Sequence, residues 1–341
     1  MYFNKDKVIA ETIHFNVEKL IAEQSTPFNI AYGIDKHFLF GCAISISSIL
    51  LHNQNIPFHF HIFTDYIDND FKLKTEQLCK QYNTSITIYR VDCEELKNLP
   101  NTKNWSYATY FRFIIADVLY PQIQKLLYID ADIICKGSLQ ELVILNIDNV
   151  MSAAVLEKES TWWQKCAERL DMPILKNGYF NAGFLYINIQ KWQEYDVSTT
   201  AMTLLSQEDV RKKLSFLDQD LLNMIFAGNV LFLDKRYNRQ YSINYELKAP
   251  KGSFYKNPID SETILIHYIG PTKPWHEWAY NYPCSSYFME AKQHSPWKND
   301  SLLGAKNAGQ LRYCAKHQFH QSKVVAGIIS YLKYYLKKIT D

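Results

Sequence analysis

The chain has 341 residues, 47% of them hydrophobic, 15% aromatic and 21% charged, with a formal net charge of +2. That composition excludes general disorder and leaves enough apolar side chain for one large core, or for a domain with an appendage. No run reaches the roughly 18 consecutive apolar residues of a membrane span, and the charged start at Met1–Lys7 is followed by no signal-peptide core, so the expectation is a soluble, unexported body.

Residues 1–26 read as a polar, partly helical lead-in. Phe28-Asn-Ile-Ala-Tyr32 then reads as a first strand, broken at Gly33 and leading to Asp35. Phe40–His52 has the mixed small and apolar pattern of a helix lying on a sheet. Phe58–Thr64 alternates with period two and predicts a strand, Phe71–Tyr82 predicts a helix, and Ser85–Val91 predicts another strand. This β-α-β-α-β alternation predicts an α/β fold with a mostly parallel sheet flanked by helices.

A helix over about Tyr107–Leu119 precedes Lys125-Leu-Leu-Tyr-Ile-Asp-Ala-Asp-Ile-Ile134, an apolar run broken only by two aspartates. It reads as a doubly buried central strand with a functional pair at its end. Later strands are more scattered: Ser152–Leu156, Gly183–Asn188, Val230–Leu233 and Thr263–His267. No internal repeat or low-complexity linker divides the chain, so one domain, 27–280, followed by a helical extension, 281–341, is the simplest organisation.

Three Asp-x-Asp pairs occur, at Asp68/Asp70, Asp130/Asp132 and Asp218/Asp220. The first lies in a polar segment and reads as a solvated loop. Asp130/Asp132 interrupts a buried strand, where unpaired carboxylates are costly. Positions i and i+2 of a strand share a side, so both can converge on one cation of the Mn²⁺ or Mg²⁺ type. His267 closes a second apolar strand and opens His267-Tyr-Ile-Gly-Pro-Thr-Lys-Pro-Trp275, where Gly270 permits close backbone approach and Lys273 supplies a cation. A histidine beside two carboxylates, with a lysine for a diphosphate, suits the departure of a nucleoside diphosphate.

Seven cysteines, nowhere spaced Cys-x-x-Cys, argue against a zinc site or a disulfide framework and fit a reducing cytosol. From Leu302 onward there are seven Lys/Arg against one acid, leaving 30 basic and 34 acidic residues before it. Within this basic tail, Ser322–Ile339 predicts an amphipathic helix. Val325, Ile328, Ile329, Leu332, Leu336 and Ile339 share one face, and Lys323, Lys333, Lys337 and Lys338 the other. Docking on an anionic membrane surface and packing on the domain are both readings of that pattern. Basic residues clustered only in the tail give nucleic-acid binding little support.

Six ordered motifs resemble glycosyltransferase family 8: Asn29–Asp35, Tyr107–Arg112, Tyr128–Asp132, Tyr179–Gly183, Leu217–Asp220 and His267–Trp275. Within the family the chain looks like the bacterial lipopolysaccharide core α-glucosyl- and galactosyltransferases. The resemblance implies a GT-A fold, a UDP-glucose or UDP-galactose donor, Mn²⁺ with Mg²⁺ as substitute, and retention of the α configuration. It further implies a lipid-linked core oligosaccharide acceptor and work on the cytoplasmic face of the inner membrane.

By the same resemblance Asp130, Asp132 and His267 would hold the metal, with Ala131 between the two aspartates. Tyr32, Gly33 and Asp35 would surround the uracil and ribose, and Gly270 and Lys273 the diphosphate. Arg112 would bridge the donor and the aspartate segment; Asn181, Ala182 and Gly183 would line the donor sugar. Asp218 would bind that sugar's hydroxyls, and Gln219 would lie beneath the reacting carbon. Glu157 aligns near an acceptor-binding acidic position. Where related galactosyltransferases carry Asp-Asn-Tyr after the first strand, this chain departs with Asp35-Lys36-His37-Phe38. A sugar nucleotidyltransferase and a non-catalytic carbohydrate-binding protein remain the alternatives; the first lacks its glycine-rich loop, and the second leaves the Asp/Asp/His/Lys set without a use.

Overall fold

A computed structural model describes residues 1–16, 26–96, 99, 107–250, 252–256 and 258–340. The main sheet has eight strands. β1 (Ile9–Phe15), β2 (Phe28–Ile34), β3 (Phe58–Thr64), β4 (Ser85–Val91) and β5 (Lys125–Ile129) are joined by β7 (Ser152–Leu156), β8 (Phe180–Asn188) and β9 (Val230–Leu233) in the order β1-β4-β3-β2-β5-β8-β7-β9. β4, β3, β2 and β5 run parallel, as the β-α-β-α-β alternation of the sequence predicts. β8 is antiparallel to both β5 and β7, so the sheet is mixed.

Two differences from the sequence reading lie near the N-terminus. Among the described residues of the expected helical lead-in, a short helix spans Lys5–Val8, and Ile9–Phe15 forms an edge strand antiparallel to β4. Residues 17–25 of that lead-in fall outside the described residues. Asp68, expected in a solvated loop, accepts the Phe71 amide at 2.8 Å and caps the helix Asn69–Tyr82, while Asp70 pairs with Lys74 at 2.7 Å.

The chain crosses from β5 through a turn into a second, three-stranded sheet. There β6 (Ile133–Cys135) lies beside β11 (Leu265–His267), which also pairs with β10 (Arg239–Gln240). The helix Leu39–His52 covers one face of the main sheet. It is buried on almost every side; Ser47 and Ser48 bond to the helix's own backbone, at Ala43 O (2.7 Å) and Ser45 O (2.6 Å), and Ser45 donates to Ile133 O at 2.6 Å. The helices Phe111–Leu119, Val197–Ser206 and Leu217–Phe226 build the core on the other face.

At the C-terminus, Ala308–His320 and Val324–Thr340 form a helical hairpin. Its inner seam uses Gly327, where a Cβ would lie 2.8 Å from the Phe319 ring, and the buried Ser330. The aliphatic side chains expected on one face point outward: Val325, Ile328, Ile329, Leu332, Leu336 and Ile339 are 47–82% exposed. Among the described residues no helix is long and apolar enough to cross a membrane.

Candidate active site

β2 connects to β3 on one side of the sheet, while β5 lies on its other side, so β2 and β5 flank a point where the strand order reverses. In open α/β sheets the crevice at the carboxyl ends of such strands is the ligand site. Gly33 and Asp35 end β2 there, and Asp130 ends β5. Antiparallel β8 brings its beginning to the same edge, because Phe184 pairs with Ile129. The β7–β8 register jumps from Ala154↔Leu185 to Val155↔Asn181, leaving residues 182–184 out of that ladder.

The two aspartates do not sit on a continuous strand as the pattern suggested. Asp130-Ala-Asp132 is a turn, closed by the Ile133 amide donating to Asp130 O at 3.1 Å, and the apolar run on either side splits between two sheets. His267 reaches them because β11 pairs with β6, setting His267 opposite Ile133, and the Tyr268 amide donates to Asp132 O at 3.0 Å. One ligand atom from each of Asp130, Asp132 and His267 lies within 4.8 Å of the others. His267 Nε2 is 3.2 Å from Asp132 Oδ1 and 3.9 Å from Asp130 Oδ2.

Asp132 Oδ1 is buried and accepts no aligned hydrogen bond, a costly state unless a cation faces it. Two hard oxygens and one imidazole nitrogen suit Mn²⁺ or Mg²⁺. Lys273 Nζ bonds to Asp132 Oδ2 and, at 2.7 Å, to Tyr268 O. Burial opposes the Asp132 charge, but Lys273 and His267 outweigh it and hold the carboxyl well below its ordinary range. Burial likewise opposes protonating His267, and the facing Asp132 and Asp130 carboxylates reverse that and raise its pKa.

Gly183 must be glycine because the space is taken: a Cβ would lie 2.5 Å from His267 Cε1 and 2.7 Å from Asp130 Oδ2. Gly270, at φ +87, provides the left-handed turn after β11. Trp275 anchors the far end of that loop against Gly41 of the Leu39–His52 helix. Tyr32 is placed otherwise than expected. Its side chain is fully buried and bonds to Ser45 Oγ at 3.0 Å, because β2 turns Ile30, Tyr32 and Ile34 toward that helix. Asp35 accepts the His37 amide at 2.8 Å, and Lys36 is tied through its amide to Asp65 at 3.0 Å.

Arg112 is buried rather than on the surface, and it joins the parts. Its Nη1 donates to Ala182 O at 2.6 Å, its Nη2 lies 3.6 Å from Asp130, and its guanidinium covers the Tyr128 ring at 4.4 Å. Its Nε–H points to Thr109 O, so Asp218 Oδ2, only 2.8 Å from Nε, feels the charge without an aligned bond. Burial raises the Asp218 carboxyl to about 6, against the opposing pull of Arg112 and Thr109.

Asp218 and Gln219 start the helix Leu217–Phe226 from a strained residue, Leu217 at φ +39. Asp220 holds that turn by accepting the Ser215 and Phe216 amides at 2.7 and 2.8 Å while Arg169 and Tyr179 bond to it. Gln219 Oε1 accepts from the Ala182 amide at 3.0 Å and from Asn181 at 3.2 Å. Asn181 also donates to Glu157 at 2.7 Å, bringing Glu157 to the edge of the same network.

Three further contributors are not among the expected site residues. Tyr128 donates to Asp130 at 3.1 Å, Thr109 donates to Asp218 at 2.5 Å, and Asn238 contacts His267 Nδ1 at 2.9 Å. Tyr128 and Thr109 lie inside quoted motifs, so proximity was a signal for them. Asn238 follows a short 3-10 turn with no local signal.

Residues 29–279 match the family described as Glycosyl transferase family 8, and residues 282–338 match Glycosyl transferase family 8 C-terminal. A lipopolysaccharide 1,3-galactosyltransferase of Salmonella typhimurium is 48% identical over 100% of this chain and 99% of its own. The lipopolysaccharide glucosyltransferase WaaO of Escherichia coli is 44% identical over 99% of this chain and 98% of its own. The solved structure of the galactosyltransferase LgtC, in complex with donor and acceptor sugar analogs, aligns over 79% of this chain and 96% of that one, with a TM-score of 0.66 at 21% identity. That likeness is one of fold, and it is the GT-A arrangement of a mixed sheet between helices. With its body and its C-terminal extension both matched, the chain belongs to glycosyltransferase family 8.

Proposed function

We propose that the chain is a retaining hexosyltransferase that moves glucose or galactose from a UDP-hexose onto a lipopolysaccharide core oligosaccharide, with Mn²⁺ as cofactor and Mg²⁺ as substitute. The observation that carries this reading is the convergence of Asp130, Asp132 and His267 within 4.8 Å of one another, with the buried Asp132 Oδ1 accepting no aligned hydrogen bond and Lys273 alongside. The lipopolysaccharide transferase relatives at 48% and 44% identity support the acceptor class.

In this reading Asp130, Asp132 and His267 hold the cation. When bound, the cation offsets the negative charge that grows on the diphosphate as the glycosidic bond breaks. Lys273 and the Gly270 turn add a second grip on the diphosphate, and the ends of β2 and β8 border the nucleoside and the sugar. Arg112 keeps the Asp130 turn, Ala182 and Asp218 in fixed relation, so the reacting groups are oriented before the chemistry begins.

The polar network favours attack from the front face. Gln219 Oε1 is already committed to two donors, and Asp218 is buried against Arg112 and Thr109. Gln219 is a neutral amide and a poor nucleophile. Asp218 Oδ2 accepts no aligned bond, but it is buried 2.8 Å from Arg112 Nε, which draws its charge and makes it a weak nucleophile for the double displacement retaining glycosidases use. The acceptor hydroxyl oxygen bonds to the anomeric carbon as the bond from that carbon to the phosphate oxygen breaks. The hydroxyl proton passes to the departing phosphate, so no enzyme base is consumed. Glu157, tied to Asn181 and Gln240, borders the acceptor side.

Residues 27–280 would then form the catalytic unit and 281–341 the unit that meets the membrane. The outward aliphatic face of Val324–Thr340, with its lysines, suits docking on the anionic cytoplasmic face of the inner membrane, where a lipid-linked acceptor resides. The decisive experiment measures UDP release from a panel of UDP-sugars, with Mn²⁺ and with EDTA, for the wild type and Asp130→Ala. Mn²⁺-dependent release from one UDP-hexose, lost in the variant, is expected. Release from no donor would overturn the transferase reading.

A further inference from the structure

We infer that Asn238, which lies outside the six motifs, is the positioning residue that decides which imidazole nitrogen of His267 is presented to the metal. The inference rests on the metal-binding reading above. Its starting point is a backbone group that cannot reverse its role. The Gly183 N–H donates to Asn181 Oδ1 at 3.0 Å, which fixes that atom as the oxygen of the amide. Asn238 approaches the same oxygen at 2.9 Å, so the atom it presents must be its NH₂ nitrogen. Its carbonyl oxygen is therefore the atom that faces His267 Nδ1 at 2.9 Å. Facing an oxygen that can only accept, Nδ1 carries the proton. Nε2 is left with its lone pair directed toward Asp130 and Asp132.

All three residues of this relay, Asn181, Asn238 and His267, are secured. Asn238 is 3% and His267 4% exposed, which removes water as a competing partner. Asn181 spends its own NH₂ group on Glu157 and Gln219. The same hydrogen bond that sets the proton also sets the plane of the imidazole ring, and outer partners of this kind tune ligand basicity. A second consequence follows from sharing one amide: Asn181 connects the metal-ligand orientation to Gln219, so the cation site and the floor of the sugar site are held in one register.

The test compares Mn²⁺ affinity, read by electron paramagnetic resonance of free Mn²⁺ without donor or acceptor, among the wild type, Asn238→Leu and Asn238→Asp. Leucine keeps the branched shape but cannot accept from Nδ1, and its affinity is expected to fall by roughly 10- to 100-fold. Aspartate still accepts from Nδ1–H but cannot donate to Asn181 Oδ1, so it is expected to lose affinity, by clearly less than the leucine variant, since the outer acceptor for Nδ1–H is preserved. Asn238→Ala supplies the same reading if the leucine variant does not fold, as judged by circular dichroism. Equal affinity in the wild type and Asn238→Leu overturns the inference, and so does an equal loss in Asn238→Leu and Asn238→Asp, which a packing role would produce. Absence of Mn²⁺ binding in the wild type overturns the metal-binding reading, and this inference with it.

Discussion

The crevice and the C-terminal helix invert the ordinary distribution of side chains in opposite ways. Around the crevice Arg112, Asp132, Asp218, Asn181, Asn238 and His267 are all buried polar or charged residues. Along Val324–Thr340 the aliphatic side chains are outside and the small ones inside; among the described residues, eight of the 21 exposed large hydrophobics lie in this one helix. The first region tolerates buried charge because nearly every group has a partner. The second exposes apolar surface that its own hairpin does not cover. Departures of this kind cost stability, and they mark where a fold meets something other than itself.

The strongest way to break the comparison is to remove a carboxylate from the crevice. Asp132→Ala is expected to lower kcat/KM with a UDP-hexose on the order of 10³-fold, the several kcal/mol that a Lewis-acid cation contributes. A Mn²⁺ titration of turnover measures it, and full activity in EDTA would sink the idea. Next comes the buried cation that holds the network together. Arg112→Leu leaves Asp218 and Asp130 facing each other without it, and is expected to lose about 3–5 kcal/mol of unfolding free energy. Denaturant unfolding of the two proteins provides the number, and an unchanged midpoint would mean the ion pairs are dispensable.

For the helix, replacing Lys333, Lys337 and Lys338 together by Gln is expected to weaken binding to anionic vesicles by on the order of 100-fold, at about 1 kcal/mol per lysine. Turnover of a soluble acceptor should stay as it was. Vesicle sedimentation that does not distinguish the variant from the wild type would turn the exposed face toward another kind of partner. The smallest effect is one of pH. Because Asp132 and Asp130 raise the His267 pKa despite its burial, a proton competes with the cation on the acid side. Mn²⁺ affinity should fall as pH drops through that pKa, approaching about tenfold per unit, whereas vesicle binding through lysines should not change over the same range.

Much of the fold was legible because period and punctuation are local. The strands Phe58–Thr64, Ser85–Val91, Ser152–Leu156 and Val230–Leu233 occupy the residues their alternation or apolar runs predict. The edge strand β1 was not legible: Ile-Ala-Glu-Thr-Ile-His-Phe is half polar, and only pairing with β4 makes it a strand. Asp130-Ala-Asp132 shows a subtler limit. The residues suggested a metal site, but the geometry first assigned to them, two positions on one strand, differs from the turn that brings them together.

The sequence by itself determined the family, the layered α/β architecture and the identity of the charged residues, because each is carried by residue type and spacing along the chain. Tertiary structure alone decided that Tyr32 faces the core, that Arg112 is a buried hub, that Gly183 leaves room for His267, and that Asn238 sets the imidazole. These depend on segments up to about a hundred residues apart meeting at one sheet edge. Direction of burial and hydrogen-bond polarity exist only once the partners are in place.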